Sequence, residues 1–354
     1  MHEVVLASLT WALALVPLAP LAPQDAAAPP RAFTVQVLET LGASGPFAYE
    51  RAVAINDAGL VVGSVETPTG SHAALWSLDG TLTDLGTSGG GQYAWARAIN
   101  DAGVVVGSSL QAGSSSAFVW TAAGGMVPLP LPPNCSAFGV NDSGAIAMMR
   151  VTPDFLYVGA SWTPPSLPQR IQALGADILV RGINDAGSVT GIHAAWGDHS
   201  SAFRWSPQAG LTLLDPPAAF VDSQGYAVRE GGEVVGLSRA GLVDQATRWG
   251  LDGTAVLLPY ARSGDQVSSA YAVNSLGWIV GAEYEDATQY NRTCGVVWID
   301  DVAYDLNDLL RQTTGNGEPL VYVTAAQGVN DQGQIAGQGV VNGERRAIRL
   351  DPVW

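Results

Sequence analysis

The chain is poor in charge, cysteine and histidine, and each shortage narrows what it can be. Only 14% of its 354 residues are charged, and its 16 basic residues face 32 acidic ones, for a formal net charge of -16. A surface of that sign repels phosphate backbones and anionic lipid, so neither nucleic acid nor a membrane surface is expected as a partner. Two cysteines, Cys135 and Cys294, are too few for a stapled scaffold, and the repeats described below put them in separate units, so no disulfide between them is expected. Four histidines give no metal-ligand spacing, and no metal or cofactor is expected. No stretch has the periodicity of a long amphipathic helix.

One apolar run stands at the start. Val4 to Leu21 is rich in Ala, Leu and Val and is followed by Pro23, Gln24 and the small residues Asp25 to Ala28. That order fits a secretory signal with its cleavage region, although no Lys or Arg precedes it. The other reading, an uncleaved anchor, is weakened by Pro17 and Pro20. Residues 1–28 are therefore expected to be a signal peptide and small-residue linker, and residues 29–354 a single domain, secreted or extracellular or held in the cell envelope. No membrane span is expected after signal removal.

What the chain has in abundance is glycine, 42 residues, with 21 prolines. These punctuate a recurring phrase, Ala-Ile-Asn-Asp-Ala-Gly-x-Val-Val-Gly, which begins at Ala54, Ala98, Gly139, Gly182, Ala227, Ala272 and Gly328. The seven copies lie 41 to 56 residues apart, the spacing of a repeat protein in which each unit is one supersecondary element. The second copy shows four strand-like segments, Tyr93 to Asn100, Val104 to Ser109, Ala117 to Thr121 and Met126 to Leu131. Asn-Asp-Ala-Gly between the first two predicts a tight hairpin turn, with its Gly in the left-handed region. The third segment ends in Trp at Trp76, Trp120, Trp162, Trp205, Trp249 and Trp298, which reads as core. The residue two before each Asn is always Ala or Gly, suited to close stacking of successive sheets.

The ends offer a second line of argument. Phe33 to Gly42 has the pattern of a fourth strand, whereas the last copy stops after its third, Arg346 to Leu350. The sum is twenty-eight strands, and the fold class expected is all-β: a seven-bladed β-propeller with four antiparallel strands per blade, closed by strand 33–38 completing the last blade.

Asp84-Leu-Gly-Thr-Ser-Gly-Gly-Gly, then Ala96-Arg-Ala-Ile-Asn-Asp-Ala-Gly-Val-Val-Val-Gly, then Ser116-Ala-Phe-Val-Trp120 resemble the extracellular HAF-repeat proteins of bacteria. The His-Ala-Phe triplet survives as His72-Ala73-Ala74, Ser116-Ala117-Phe118 and Ser201-Ala202-Phe203. Asp305 to Leu310 with Gly328 to Gly337 resembles that family's closing repeat. The resemblance covers about nine-tenths of the chain and implies a secreted, propeller-like protein; it brings no catalytic residues.

Several patterns invite a chemical reading and fit a structural one better. The Asn-Asp pairs lack the alternating ligands of a calcium loop and read as turn caps. Gly86-Thr-Ser-Gly-Gly90 matches a nucleophile elbow but lacks the strand-to-helix setting. Asp79-Gly80 lacks the rest of an Asp-box. His193, Asp198 and His199 share a loop with Trp196 and read as solvated residues. The longest variable loops, Glu283 to Thr293 and Asn307 to Val321, emerge on the face where loop-borne function belongs. The third residue before each Asn, namely Val53, Arg97, Phe138, Arg181, Tyr226, Tyr271 and Gln327, should line the central channel. Arg97 and Arg181 there are expected to pair with neighbouring carboxylates, or else with an anionic ligand.

The function expected is that of a non-catalytic, monomeric binding scaffold for a glycan or surface protein. Candidate ligand-binding residues are Tyr93, Trp95, Arg97, Arg181, Trp196, Tyr226, Tyr271, Tyr284 and Tyr290. The alternatives are an extracellular hydrolase or lyase using Glu50, Asp177, Glu283, Glu285 and Asp286 at the channel mouth, or a structural envelope component.

Overall fold

The computed structural model describes residues 29–42, 50–171, 175–195, 199–264, 267–286, 289–311 and 321–354. The expected signal segment, 1–28, lies outside them. The described residues form 28 strands and one three-residue 3-10 turn, Ser88–Gly90. In the second repeat, Tyr93–Ile99, Val105–Gln111, Ser114–Thr121 and Gly125–Pro128 pair antiparallel in chain order. Five sheets have four strands each. A sixth has eight, because one parallel pairing, Ser71 with Tyr93, joins the strands of the first two repeats.

The two glycines of the repeated phrase have separate causes. The first, at Gly59 and its equivalents Gly103, Gly144, Gly187, Gly232, Gly277 and Gly333, sits at φ between +75° and +88°, where an L side chain is strained. It closes the turn by donating its N–H to the Asn carbonyl, 2.9 Å in the first repeat. The second, at Gly63, Gly107, Gly191, Gly236, Gly281 and Gly337, lies under the inner strand so closely that a Cβ would overlap a backbone carbonyl, that of Arg51 in the first repeat. That close approach accompanies a β-bulge. In all seven repeats the register of the inner strand slips by one residue, at Val53, Arg97, Phe138, Arg181, Tyr226, Tyr271 and, in the last, Gln327. A bulge leaves its extra residue out of the ladder and turns its side chain.

The Asn of the turn does more than cap it. Its Oδ1 accepts the N–H four residues on, as in Asn56 with Leu60 at 2.9 Å, and its Nδ2 donates to the carbonyl of the next repeat's turn. Asn56 reaches Asn100, Asn100 reaches Asn141, Asn141 reaches Asn184, and Asn184 reaches Arg229. Arg229 stands where the fifth Asn would be, and its guanidinium donates to the Ser275 carbonyl. Asn274 then reaches Asn330, and Asn330 donates to Asn56 at 2.9 Å. The sequence reading of these residues as caps of their own turns was incomplete: they also stitch neighbour to neighbour.

Ala32–Val37 pairs antiparallel with Glu344–Val353, so the strand that begins the domain is the outer member of the sheet that ends it. Phe33 and Leu38 are fully buried there, and a side chain of that size contributes roughly 1.5–3 kcal/mol on burial. Trp76, Trp249 and Trp298 are likewise buried, each donating its indole N–H to a backbone carbonyl at 2.8 Å. A buried Trp needs such a partner. Cys135 and Cys294 sit in different core clusters. One expected loop is corrected: residues 283–286 and 289–293 lie in two paired strands, Ile279–Asp286 and Gln289–Ile299.

Candidate functional site

The seven bulges aim at one place. Val53, Arg97, Phe138, Arg181, Tyr226, Tyr271 and Gln327 all line a cavity of about 800 Å³, together with Arg51, Ser64, Glu66, Trp95 and Ala96. A second cavity of about 510 Å³ shares Arg51, Val53 and Gln327 with the first and adds Glu50, Tyr284, Tyr322 and Arg345 among its walls. Tyr271 and Tyr284 bridge the two, their hydroxyls 3.3 Å apart. The expected channel position is thus where it was placed, and the bulge is the reason: a regular strand would have turned these side chains elsewhere.

The wall carries cations stacked on rings. The Arg97 guanidinium lies 4.7 Å from the centre of the Phe138 ring and that of Arg181 lies 6.0 Å from Tyr226. Tyr226 and Tyr271 are 5.9 Å apart at 51°, and Tyr93 stacks nearly parallel on Trp95 at 6.0 Å. The expected pairing of Arg97 and Arg181 with carboxylates is contradicted: among the described residues neither makes an ion pair or a hydrogen bond, and aromatic faces take the place of the acid. Arg97 is solvent-accessible, yet protein crowds it on most sides, and its exposure is to the cavity. That desolvation, together with the charges of Arg181 and Arg51, pulls its pKa below the usual guanidinium value. Desolvation raises Tyr226 despite the opposing pull of Arg181, and raises Tyr271 far more. Glu66, the carboxylate on this wall, is also pushed up by desolvation, against the charge of Arg51.

Of the candidate ligand-binding residues, Trp95, Arg97, Arg181, Tyr226 and Tyr271 share this cavity and Tyr284 the adjoining one. Tyr93 stands behind Trp95, 39% exposed. Trp196 and the side chain of Tyr290 lie outside the described residues. Arg51, Ser64 and Glu66 were missed. Arg51 could have been found, since it stands two residues before Val53 on the same strand and shares its face.

The other end of the same strands is different. There a cavity of about 260 Å³ is lined by the turns, with Asp57, Asp101, Asp142, Asp185, Glu230 and Asp331 around it. Each of these carboxylates accepts a backbone N–H from the repeat before it, at 2.7 to 2.9 Å. Burial raises the pKa of Asp57 and Asp101, against those hydrogen bonds and with help from the neighbouring acids. Among the described residues no three His, Cys, Asp or Glu side chains are placed to hold a metal ion.

Of the carboxylates considered for catalysis, Glu50 is bound to Arg346 at 3.2 Å, fully buried Glu283 accepts the Ala261 N–H, Asp177 accepts that of Tyr157, and Glu285 is exposed. The side chain of Asp286 lies outside the described residues. The loop holding Asp198 also lies outside them, and His199 lies 3.8 Å from Asp222. Ser88, the hydroxyl of the elbow-like pattern, is buried in the 3-10 turn with its N–H on Ser109.

No protein-family model matches the sequence, and no curated protein matches it. Solved structures do resemble it. A catalytically inactive virginiamycin B lyase from Staphylococcus aureus, solved with quinupristin, superposes with a TM-score of 0.58 at 11% identity over 91% of this chain and all of that one. Puromycin hydrolase gives 0.56 at 14% identity over 92% of this chain and 55% of that one. TolB from Acinetobacter baumannii gives 0.46 at 13% identity, over 58% of this chain and 53% of that one. This chain therefore spans about half the length of the latter two. At these identities the likeness is one of fold, and the fold is propeller-like.

Proposed function

We propose that this chain is a secreted or envelope-located, monomeric member of the HAF-repeat proteins, a seven-bladed propeller that binds a glycan in its central cavity without transforming it. The blade count is supported by seven bulged hairpins and by turn-to-turn links, six from Asn and one from Arg229, that run from Asn56 back to Asn56. Closure is supported by the pairing of Ala32–Val37 with Glu344–Val353. The observation that carries the binding reading is that the most variable position of the repeat is the one every bulge turns into the same cavity, as aromatic, cationic and amide side chains. Uniform positions hold the ring together, and the unlike ones face a ligand.

The test is a polysaccharide and surface-fraction screen with the purified domain, followed by Trp95→Ala and Tyr226→Ala. Each should weaken the selected ligand about tenfold or more, a hot-spot-sized loss, while thermal unfolding shifts little. Unchanged affinity in both variants would place the ligand elsewhere.

An enzymatic reading has one observation in its favour. Glu66 lines the cavity with its pKa raised, and two of the solved structures that share the fold are a virginiamycin B lyase and a puromycin hydrolase. The lyase was inactivated at a histidine, whereas the described walls of both cavities here carry none. Chromatography of the bound glycan after long incubation decides: fragments that disappear with Glu66→Gln would replace binding with turnover.

A further inference from the structure

We infer that the cavity selects saccharides carrying an oxyanion, with Arg97 and Arg181 as the guanidiniums that receive it. This rests on the glycan-binding reading and names the chemical class of its ligand.

The chain has no lysine, so all its 16 basic residues are arginine, set against 32 acids. Not every guanidinium among the described residues meets a carboxylate, and Arg150 Nε is buried without a hydrogen-bond partner, but six do. Arg229, Arg239, Arg248, Arg262, Arg346 and Arg349 all hold carboxylates. Arg97 and Arg181 do not, although they lie close enough to each other for mutual repulsion to be felt. Placing two like charges unmatched on one wall is unfavourable unless something of opposite sign visits it. Each lies over an aromatic ring, and a guanidinium paired with a ring face rather than an acid keeps N–H donors to offer an acceptor. A carboxylate or sulfate accepts such a fork through two oxygens.

Among the described residues one carboxylate, Glu66, stands on this wall. It feels the charge of Arg51 and forms no ion pair with Arg97 or Arg181. The acidic turns at the opposite end add direction, for an anion in the lumen is drawn to the arginines and kept from the far mouth. Trp95, Tyr226 and Tyr271 then offer ring faces and hydroxyls to the sugar body.

Calorimetry on the purified domain tests this with trigalacturonate, its fully methyl-esterified form, a sulfated trisaccharide and neutral cellotriose. Binding of trigalacturonate marks a carboxylate ligand, and binding of the sulfated sugar alone marks a sulfate ester. For whichever binds, Arg97→Gln and Arg181→Gln should each cost about tenfold or more, about 1.4 kcal/mol per decade, with affinity falling as salt rises. Arg170→Gln, on an exposed outer strand, should leave affinity unchanged. If the ester or cellotriose binds as tightly as the acid, the inference falls and the glycan reading stands. It also falls if Arg170→Gln costs as much as Arg97→Gln, because the effect is then one of overall charge. If none of the four binds, both readings fall for these sugars and the screen above decides the first alone.

Discussion

The seven inner strands have two ends, and those ends treat their polar groups in opposite ways. At the turns every Asn and nearly every acid is spent on a neighbour: Nδ2 on the next turn's carbonyl, Oδ1 on its own turn, the carboxylate on the preceding repeat's N–H. Three residues before the Asn, at the bulge, Arg97 and Arg181 hydrogen-bond to no described residue. Repetition and commitment go together because a stitch between repeats works only if every repeat supplies the same stitch. Variation and freedom go together because the bulged residue owes nothing to the ladder. A substitution at the turns should therefore move stability and spare binding, and one at the bulges should do the reverse.

The largest effect is expected at the strand on which both ends depend. Phe33→Ala empties a fully buried site between the first and last strands and should cost about 3–5 kcal/mol in urea unfolding. A loss under about 1 kcal/mol, within the range of ordinary surface changes, would mean that the terminal sheet does not need its outer strand. Next comes Asn330→Ala, which removes the donor to Asn56 and the acceptor for the Gln334 N–H in a buried site. Orphaning those groups should cost about 2–3 kcal/mol, with ligand affinity of the folded protein unchanged. Were affinity lost as well, the two ends would be mechanically coupled and the contrast between them would fail.

Much of this was legible before the structure. Strand segments, the left-handed turn glycine, the core Trp of the third strand, only half-buried at Trp120, and the pairing of the strand expected at 33–38, observed at 32–37, with the chain's end all follow from spacing, because periodicity is a local signal repeated seven times. The bulge was not legible. It shows only as a second conserved-in-phrase glycine, at Gly63 and its equivalents, whose reason is a carbonyl from a strand already passed. Nor were the partners of Arg97 and Arg181: the acidic composition suggested carboxylates, whereas Phe138 and Tyr226 lie one repeat further on, a distance spacing cannot measure.

A smaller effect tests the bulge end. Arg97→Gln loses a stacked cation, about 0.5–1 kcal/mol, and sheds repulsion from Arg181 and Arg51. Thermal stability should stay within about 1 kcal/mol of the parent, even as oxyanion affinity falls. A larger loss of stability would make the arginine part of the frame.

The smallest effect carries a sign that only the turn geometry predicts. Asp57→Asn keeps an Oδ1 to accept the Asp331 N–H and removes one charge from a crowded ring. The folded pKa of Asp57 is raised above the ordinary aspartate value of 3.8, first by burial and then by its acidic neighbours. The native state therefore holds that proton more tightly than the unfolded chain, so the stability this group contributes is present below pH 3.8 and is lost as pH rises through the raised value. At neutral pH its charge opposes folding, and the variant should match the parent or exceed it, within about 0.5 kcal/mol. As pH falls through the raised value into the ordinary aspartate range the advantage should vanish, because the parent's carboxyl is then neutral too. Denaturation at a series of pH values reads this directly. A variant clearly less stable at pH 7 would show that the carboxylate's charge strengthens the link to Asp331 by more than the ring's repulsion costs, and the turns would then be held by charge as well as by shape.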